Sequence, residues 1–210
     1  MAISTYAELK TSVADFLNRD DLTSVVPTFI SLAEAQIQRD VRHYKMEARA
    51  SGQVSAGDQF MQTPSDWVET VRLHLTGSGT SPVTLKSMAA IADFRAKQEN
   101  SSTKAPQFYA FVDGQFELYP TPSEDTDFEL VYIQKIPALS DSQTSNWLLD
   151  DAPDVYLYGA LVHSAPYLQE DERIAVWAQL YSAAIQRLNQ ASDDAKFSGS
   201  GLTMKVRGLG

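Results

Sequence analysis

The stretch that decides the fold runs from Ile133 to Trp177 and reads IQKIPALSDSQTSNWLLDDAPDVYLYGALVHSAPYLQEDERIAVW. A strand ends near its start, a polar loop follows, and the apolar triplet Trp147-Leu148-Leu149 stands directly before a helix. Pro153 suits the first turn of that helix, because a missing N–H costs little there. We therefore interpret the stretch as a junction between a β region and a helical region.

Two amphipathic helices are predicted upstream, at the N-terminus. Thr5 and Glu8 have the spacing of a capping box, which predicts the start of the first helix. Apolar residues then recur with a helical period: Tyr6, Leu9, Val13, Phe16 and Leu17 in the first helix, and Val26, Ile30, Ala33, Ile37, Val41 and Tyr44 in the second. Because the connection is short, we expect an antiparallel pair.

The middle of the chain predicts a small antiparallel β module of about five strands with one short helix. Asp113-Gly114 suits a two-residue type I′ turn. The turn implies two cross-strand pairs: Phe111 with Phe116, and Tyr109 with Leu118. We expect the opposite face of this hairpin, with Ala110 and Glu117, to be partly solvated. A strand over Val68–Leu75 would place three apolar residues on one side: Val71, Leu73 and Leu75.

A further helix is expected after Pro166, which should kink or end the helix before it. It would open at the acids Glu170-Asp171-Glu172 and fade near Asp193. Its apolar face is formed by the following residues: Ile174, Trp177, Leu180 or Tyr181, Ala184, Ile185 and Leu188.

These elements predict an α+β fold. Residues 1–45 and 146–195 would form an antiparallel helical bundle, residues 46–145 an inserted antiparallel β module, and residues 196–210 an extended, flexible C-terminal arm. The arm contains three cations, four glycines and no acid, so it cannot form a core. It is either frayed or ordered by binding another surface.

Composition restricts the classes of function. The 210 residues carry a net charge of −10, which repels nucleic acid and anionic membranes. The absence of cysteine removes disulfides, thiol catalysis and thiolate metal sites. The start, MAISTYAELK, lacks the apolar core of a signal peptide. The uncharged run Val155–Gln169 is too short and too polar to span a bilayer, so we expect no membrane partner.

No motif points to catalysis. The three histidines, His43, His74 and His163, lie on different elements and share no metal-ligand spacing. The sequence contains no G-x-S-x-G elbow, no G-x-G-x-x-G and no phosphate-binding loop. We therefore predict no catalytic, metal-binding or cofactor-binding residue, no cofactor and no enzymatic activity.

The acids after the β region are the strongest alternative to that prediction: Asp141, Asp150, Asp151, Asp154, Glu170, Asp171 and Glu172. They suit a carboxylate pair for glycoside hydrolysis or a divalent-cation site. We favour the simpler interpretation that they cap helix N-termini and solvate a surface. Alternatively, these acids would contact a basic surface of a neighbouring subunit. The predicted junction or subunit interface consists of five residues: Trp147, Leu148, Asp150, Asp151 and Asp154.

A basic cluster at Arg39, Arg42, Lys45 and Arg49 is interrupted by acids, so it is a weak candidate for nucleic-acid binding. We interpret it as the solvated end of the second helix.

Several segments together resemble the head–tail adaptor family (connector, or head-completion, proteins) of tailed bacteriophages. The resemblance is carried by the order and spacing of four segments: Asp21–Ala48, Phe60–Trp67, Gln115–Pro122 and Tyr132–Trp177. It implies a structural, non-enzymatic subunit that forms a ring with copies of itself, commonly twelvefold. The ring would lie beneath the portal protein in the virion neck, after synthesis and assembly in the host cytoplasm.

The resemblance also implies partners. Such a ring extends the DNA channel, lets packaged DNA pass without sequence-specific binding, and docks the tail or nozzle protein. Its C-terminal arm docks on the portal, which assigns these residues: Lys196, Phe197, Leu202, Met204, Lys205, Val206 and Arg207. Two alternatives remain, a tail or baseplate structural module and a carboxylate-based cell-wall hydrolase.

Overall fold

The structure is a computed structural model that describes residues 3–76, 81–97, 105–168 and 173–198. It confirms the predicted α+β class. In chain order the elements are α1 (Tyr6–Leu17), α2 (Val26–Asp40), β1 (Glu47–Val54), β2 (Phe60–Gln62), β3 (Trp67–Leu75), β4 (Ser81–Pro82), β5 (Thr84–Leu85), α3 (Met88–Ala96), β6 (Phe108–Val112), β7 (Gln115–Tyr119), β8 (Thr126–Gln134), α4 (Trp147–Asp151), α5 (Pro153–Leu168) and α6 (Ile174–Phe197). Short 3-10 turns lie at Asp20–Leu22 and Tyr44–Met46.

The chain divides into two units. The helical unit comprises Met1–Lys45 and Ile136–Gly210, and the β unit comprises Met46–Lys135. One boundary differs from the sequence prediction, since residues 136–145 were expected in the β module and group with the helical unit. The reason is that backbone N–H groups of this segment donate to side chains of α2.

Helix α5 is central to the helical unit and packs against α1, α2 and α6. Gly159 marks a close approach of three helices. A Cβ at this position would lie 3.2 Å from Cβ of Ala33 on α2 and 3.3 Å from Cε2 of Tyr181 on α6. Both distances are tighter than ordinary Cβ contacts, so a larger residue here would require Ala33 or Tyr181 to shift by a few tenths of an ångström. Helices α1 and α2 also contact each other, but α5 is the larger partner of both.

The helical periods predicted the buried faces well except near helix ends. Thr5 and Glu8 form the predicted capping box of α1. Phe16, in the last turn of α1, is 48% exposed. Tyr44 is also exposed, because α2 ends at Asp40 and the chain turns away from the helix axis.

The C-terminal helices differ from prediction in their limits. Pro166 lies inside α5, within the last described turn. The expected opening acids, residues 170–172, lie outside the described residues. Helix α6 is described from Ile174 and continues to Phe197, beyond the predicted end near Asp193. On its predicted face, Leu180 is exposed while its neighbour Tyr181 is buried.

The β unit contains two four-stranded sheets rather than one module of five strands. The first sheet has the order β1-β8-β3-β4 and the second β2-β7-β6-β5. Only the β5–β6 pair is parallel among the described strands. Apolar residues of both sheets form one core: Val54, Met61, Leu73, Leu75, Val83, Tyr109, Phe116, Leu118, Leu130 and Tyr132.

The predicted hairpin forms, but its second face is not solvated. Asp113 and Gly114 adopt positive φ angles of 49° and 75°, and both predicted cross-strand pairs are present. The expectation for the opposite face was wrong. Ala110 and Glu117 are buried, because α3 packs on this face and its Arg95 forms an ion pair with Glu117.

Strand β3 contains a bulge that the alternation did not reveal. Leu73 and Leu75 are buried as predicted, whereas Val71 is 53% exposed. The register with β8 shifts between Thr70 and Arg72, which inserts one extra residue into the strand. An extra residue moves the following side chains to the other face, so Val71 and Leu73 no longer share one.

Candidate interaction surfaces

The predicted junction is built around Asn146, the N-cap of α4. Its Oδ1 accepts the N–H of Leu149 at 2.9 Å, while its Nδ2 donates to the carbonyl O of Pro137 and to the hydroxyl of Tyr156, both at 2.7 Å. Burial raises the pKa of Tyr156, so the hydroxyl stays protonated. Asn146 is itself buried, which makes it a structural cap rather than an exposed binding group.

Two side chains of α2 hold the connecting segment at residues 136–139. The N–H of Leu139 donates to Glu34 Oε1 at 2.7 Å, and the N–H of Ile136 donates to Gln38 Oε1 at 2.9 Å. Burial raises the pKa of Glu34, although the bond from Leu139 opposes this shift. The sequence analysis missed this pair. Its only signal is two polar residues spaced four apart beside the apolar stripe of α2.

The apolar triplet of α4 packs within the helical unit. Leu148 and Leu149 are buried, and Trp147 is half-buried with its ring stacked on His43 at a centroid distance of 5.0 Å. His43 Nδ1 accepts the N–H of Lys45 at 3.2 Å. Burial lowers the pKa of His43, with a smaller contribution from Lys45, so the ring is neutral at pH 7. A role of Trp147 and Leu148 in a subunit interface stays a prediction.

The acids after β8 have different local partners. Asp141 pairs with Lys10 at 2.9 Å, and Asp151 pairs with Lys45 at 2.5 Å. Within the part of the chain that the structure describes, no group of three or more acids and histidines could hold a metal ion. Three of the predicted acids lie outside the described residues: Glu170, Asp171 and Glu172.

Asp150 and Asp154 flank the start of α5 without sharing a partner. The Ser145 hydroxyl donates to Asp150 at 2.6 Å, and Asp154 accepts the N–H of Val155 at 3.1 Å. Both carboxylates are exposed. A glycosidase needs two carboxylates that face one substrate position. The described contacts instead fit helix-start and surface groups, and they leave both residues available to another protein.

The predicted basic cluster is divided between local contacts. The Arg42 guanidinium donates to the carbonyl oxygens of Gln38 at 3.3 Å and of Val41 at 2.8 Å. Arg49 belongs to the β unit and pairs with Glu129 at 3.3 Å. Three of the four cations, Arg42, Lys45 and Arg49, therefore have local partners, which supports the interpretation that the cluster is not a nucleic-acid patch.

The first residues of the predicted arm are helical. Lys196 and Phe197 form the end of α6, and Phe197 is 63% exposed. The helix continues here because the N–H of Ser198 still bonds to the carbonyl of Asp194 at 2.8 Å. The other arm residues lie outside the described residues: Leu202, Met204, Lys205, Val206 and Arg207.

A further candidate surface was not predicted from the sequence. β1 is an outer strand of the first sheet and pairs with β8 over its whole length. Free strand edges bind extended segments of other proteins.

No helix in the described part of the chain is long and apolar enough to cross a membrane. The described candidate surfaces are therefore a strand edge, an exposed helix end and an acidic helix start.

Comparison with family models identifies the class of protein. The model of the SU10 adaptor protein matches residues 4–204. Because the match covers nearly the whole chain, the chain belongs to this family, which consists of phage head–tail adaptors. The resemblance stated from the sequence is confirmed. No curated protein matches the chain.

Proposed function

We propose that this chain is the subunit of a ring that lies beneath the portal of a tailed phage, extends the DNA channel and provides the docking surface for the tail. The observation that carries the proposal is the family match over residues 4–204, which makes the chain a phage adaptor and a component of the virion. The ring, its twelvefold symmetry and its place in the neck follow from the resemblance to head–tail adaptors.

The charge of the chain suits the wall of a DNA channel. A net charge of −10 repels phosphate, whereas retention of DNA requires clustered free cations. Arg42, Lys45 and Arg49 each have a local acceptor in the structure. DNA would therefore pass without sequence-specific binding.

Two described surfaces are our candidates for contacts in the ring. The acidic surface at the end of α4 and the start of α5, with Asp150, Asp151 and Asp154, is the proposed contact with the next copy. The exposed end of α6, with Lys196 and Phe197, is the proposed contact with the portal. A large exposed aromatic side chain such as Phe197 favours this use, because aromatic residues contribute strongly when an interface removes them from water.

The proposal is tested by mixing the purified chain with the portal protein of the same phage. Size-exclusion chromatography and electron microscopy should show a complex in which a ring of this chain covers one end of the portal. Absence of any complex, under conditions in which both proteins are folded, would contradict the proposal.

Charge reversal tests the contact between copies. Asp154→Lys should reduce the yield of complete rings on the portal, because the acidic surface then carries the wrong sign. Asp15→Lys is the matched control, since it makes the same change of charge at an exposed acid of α1, away in sequence from both proposed contacts. Equal loss of rings in both variants would count against the assigned surface.

A further inference from the structure

β1 differs from every other outer strand that the structure describes. It has eight residues, whereas β2 has three and β4 and β5 have two each. Its ladder with β8 contains eight pairs without a register shift, while the ladder between β3 and β8 is interrupted twice. Proteins usually protect outer strands by shortness, bulges, proline or charged side chains. β1 carries Glu47 and Arg49, but it is long and has neither a bulge nor a proline.

The outer edge of β1 is chemically suited to another strand. Across residues 48–54, no backbone hydrogen bond to a segment other than β8 is found in the described chain. Alternate N–H and C=O groups of this edge therefore lack a backbone partner. Ala48 and Ala50 lie on the core face and are partly buried, while Arg49 and Ser51 lie on the opposite face. At the outer edge of β1, the core face therefore carries two small side chains. A larger apolar residue on an added strand would cover them.

The sequence supplies a segment with the matching pattern. Residues 202–207 read LTMKVR and alternate between apolar and polar side chains, with Gly201 and Gly208 on either side. Strict alternation is typical of a strand with one buried face. The segment's polar face carries Lys205 and Arg207 and would share the face of Arg49 on β1, whose charge is already paired with Glu129 of β8 at 3.3 Å.

We infer that residues 202–207 of one copy add as a strand to the outer edge of β1 in a neighbouring copy. Their three apolar side chains lie on the face that carries Ala48 and Ala50. The inference rests on the proposed function, because the ring supplies the neighbour. Binding of one segment to each β1 edge is a head-to-tail contact between copies, and such contacts form a ring when the rotation between neighbours closes. The outer half of the predicted arm then binds a second copy, which leaves the end of α6 for the portal.

Disulfide trapping provides a direct test, because the natural sequence has no cysteine. A tagged copy with Met204→Cys is mixed with an untagged copy that carries Ala48→Cys or Ala50→Cys, in the presence of the portal. Same-face neighbours on adjacent strands have Cβ atoms about 4.5–5.5 Å apart, which is close to disulfide reach. After mild oxidation, a non-reducing gel should show a mixed dimer for at least one of the two positions.

Arg49→Cys and Ser51→Cys are the matched controls, since they lie on the same strand with the opposite face. A mixed dimer should form there at least about tenfold more slowly. Equal trapping on both faces would overturn the inference. So would the absence of a mixed dimer at all four positions.

A second variant tests whether binding depends on the alternating order of apolar and polar side chains or on the residue content of the segment. Met204→Lys combined with Lys205→Met keeps the residue content and places a cation on the apolar face. With Leu202→Cys on the copy that carries the arm and Ala48→Cys or Ala50→Cys on the other copy, the rate of mixed-dimer formation should fall at least about tenfold relative to the natural order of residues 204 and 205. Unchanged trapping would contradict strand addition.

The outcomes for the two proposals are distinct. Electron microscopy of the same samples reports on the proposed function. If rings form on the portal without mixed dimers, only the strand addition fails. If no complex forms, the proposed function fails, and the same trapping on concentrated free protein decides whether the segment pairs with β1.

Discussion

The helical unit and the β unit satisfy their connecting backbone in different ways. In the helical unit, side chains bind backbone N–H groups that are 98 to 148 residues away in sequence: Gln38 with Ile136, Glu34 with Leu139, Asn189 with Arg42 and Ser192 with Tyr44. The β unit depends on strand ladders and a shared apolar core, and among the described residues its longest outer strand has backbone bonds on one edge alone. Long-range contacts of side chains thus hold the helical unit together, whereas backbone pairing holds the β unit together.

The largest effect is expected in the core of the β unit. Phe116 is fully buried and contacts the aromatic rings of Tyr109, Trp67 and Phe111. Phe116→Ala should lower the free energy of unfolding by about 3–5 kcal/mol, because it removes apolar contacts and leaves a cavity. Phe111→Ala is the control, since Phe111 is 43% exposed, and it should cost about 1 kcal/mol. Denaturant unfolding measures both, and equal losses would contradict the described core.

The next effect is expected at the cap of α4. Asn146→Ala removes the acceptor for the Leu149 N–H and leaves the Pro137 carbonyl and the Tyr156 hydroxyl without this donor. The expected loss of unfolding free energy is about 2–3 kcal/mol. Asn146→Asp keeps the capping oxygen but places a buried carboxylate oxygen against the Pro137 carbonyl, so it should not recover this loss. A loss below that of an exposed surface substitution would show that the junction is not held by this residue.

Glu34 provides a smaller, pH-dependent effect. Glu34→Ala should lower the free energy of unfolding by about 1–2 kcal/mol, because the Leu139 N–H loses its acceptor. Glu34→Gln keeps an acceptor and removes the charge that burial disfavours. Since burial raises the pKa of Glu34 above its ordinary value of 4.5, the charged form reduces stability as the pH rises above that value.

The sign of the pH dependence identifies the cause. Glu34→Gln should be more stable than the natural chain at pH 7, and the difference should shrink as the pH falls to 4.5 and below. Chemical denaturation at several pH values measures the difference. A difference that does not change with pH would rule out a buried charge as its origin.

The smallest predicted effect comes from His43. Burial lowers its pKa, so the unfolded chain binds the proton more tightly and stability is lost as the pH falls through 6.5 toward the folded pKa. His43→Phe should make stability less dependent on pH in this range. Trp147→Phe alters the same ring stack without removing the titrating group, so it should keep the natural slope. Equal slopes in the natural chain and His43→Phe would contradict the assignment.

The same comparison explains what the sequence could predict. Helix faces and the hairpin at Asp113-Gly114 depend on neighbouring residues, so periodicity and turn chemistry predicted them. The bulge at Val71 and the burial of Glu117 depend on β8 and α3, which are distant in sequence. The outer strands of the second sheet, β2 and β5, are too short to show a period, so this sheet was not predicted.

The candidate surfaces divide in the same way. The acids at the start of α5 were identified because Pro153 and Asp154 carry local helix-start signals. The contacts of Glu34 and Gln38 with the segment at residues 136–139 were missed, because nothing near these two residues in the sequence indicates a partner about a hundred positions away. The free edge of β1 was missed because it depends on the strand order of the whole sheet.

The most direct test of the central claim is an electron-microscopy reconstruction of the virion of the phage that encodes this chain. The two units described here should fit, each as its own body, into a ring of density between the head and the tail, in contact with the portal. Density for this chain at the tail tip or baseplate, or its absence from the virion, would contradict the assignment as a head–tail adaptor ring.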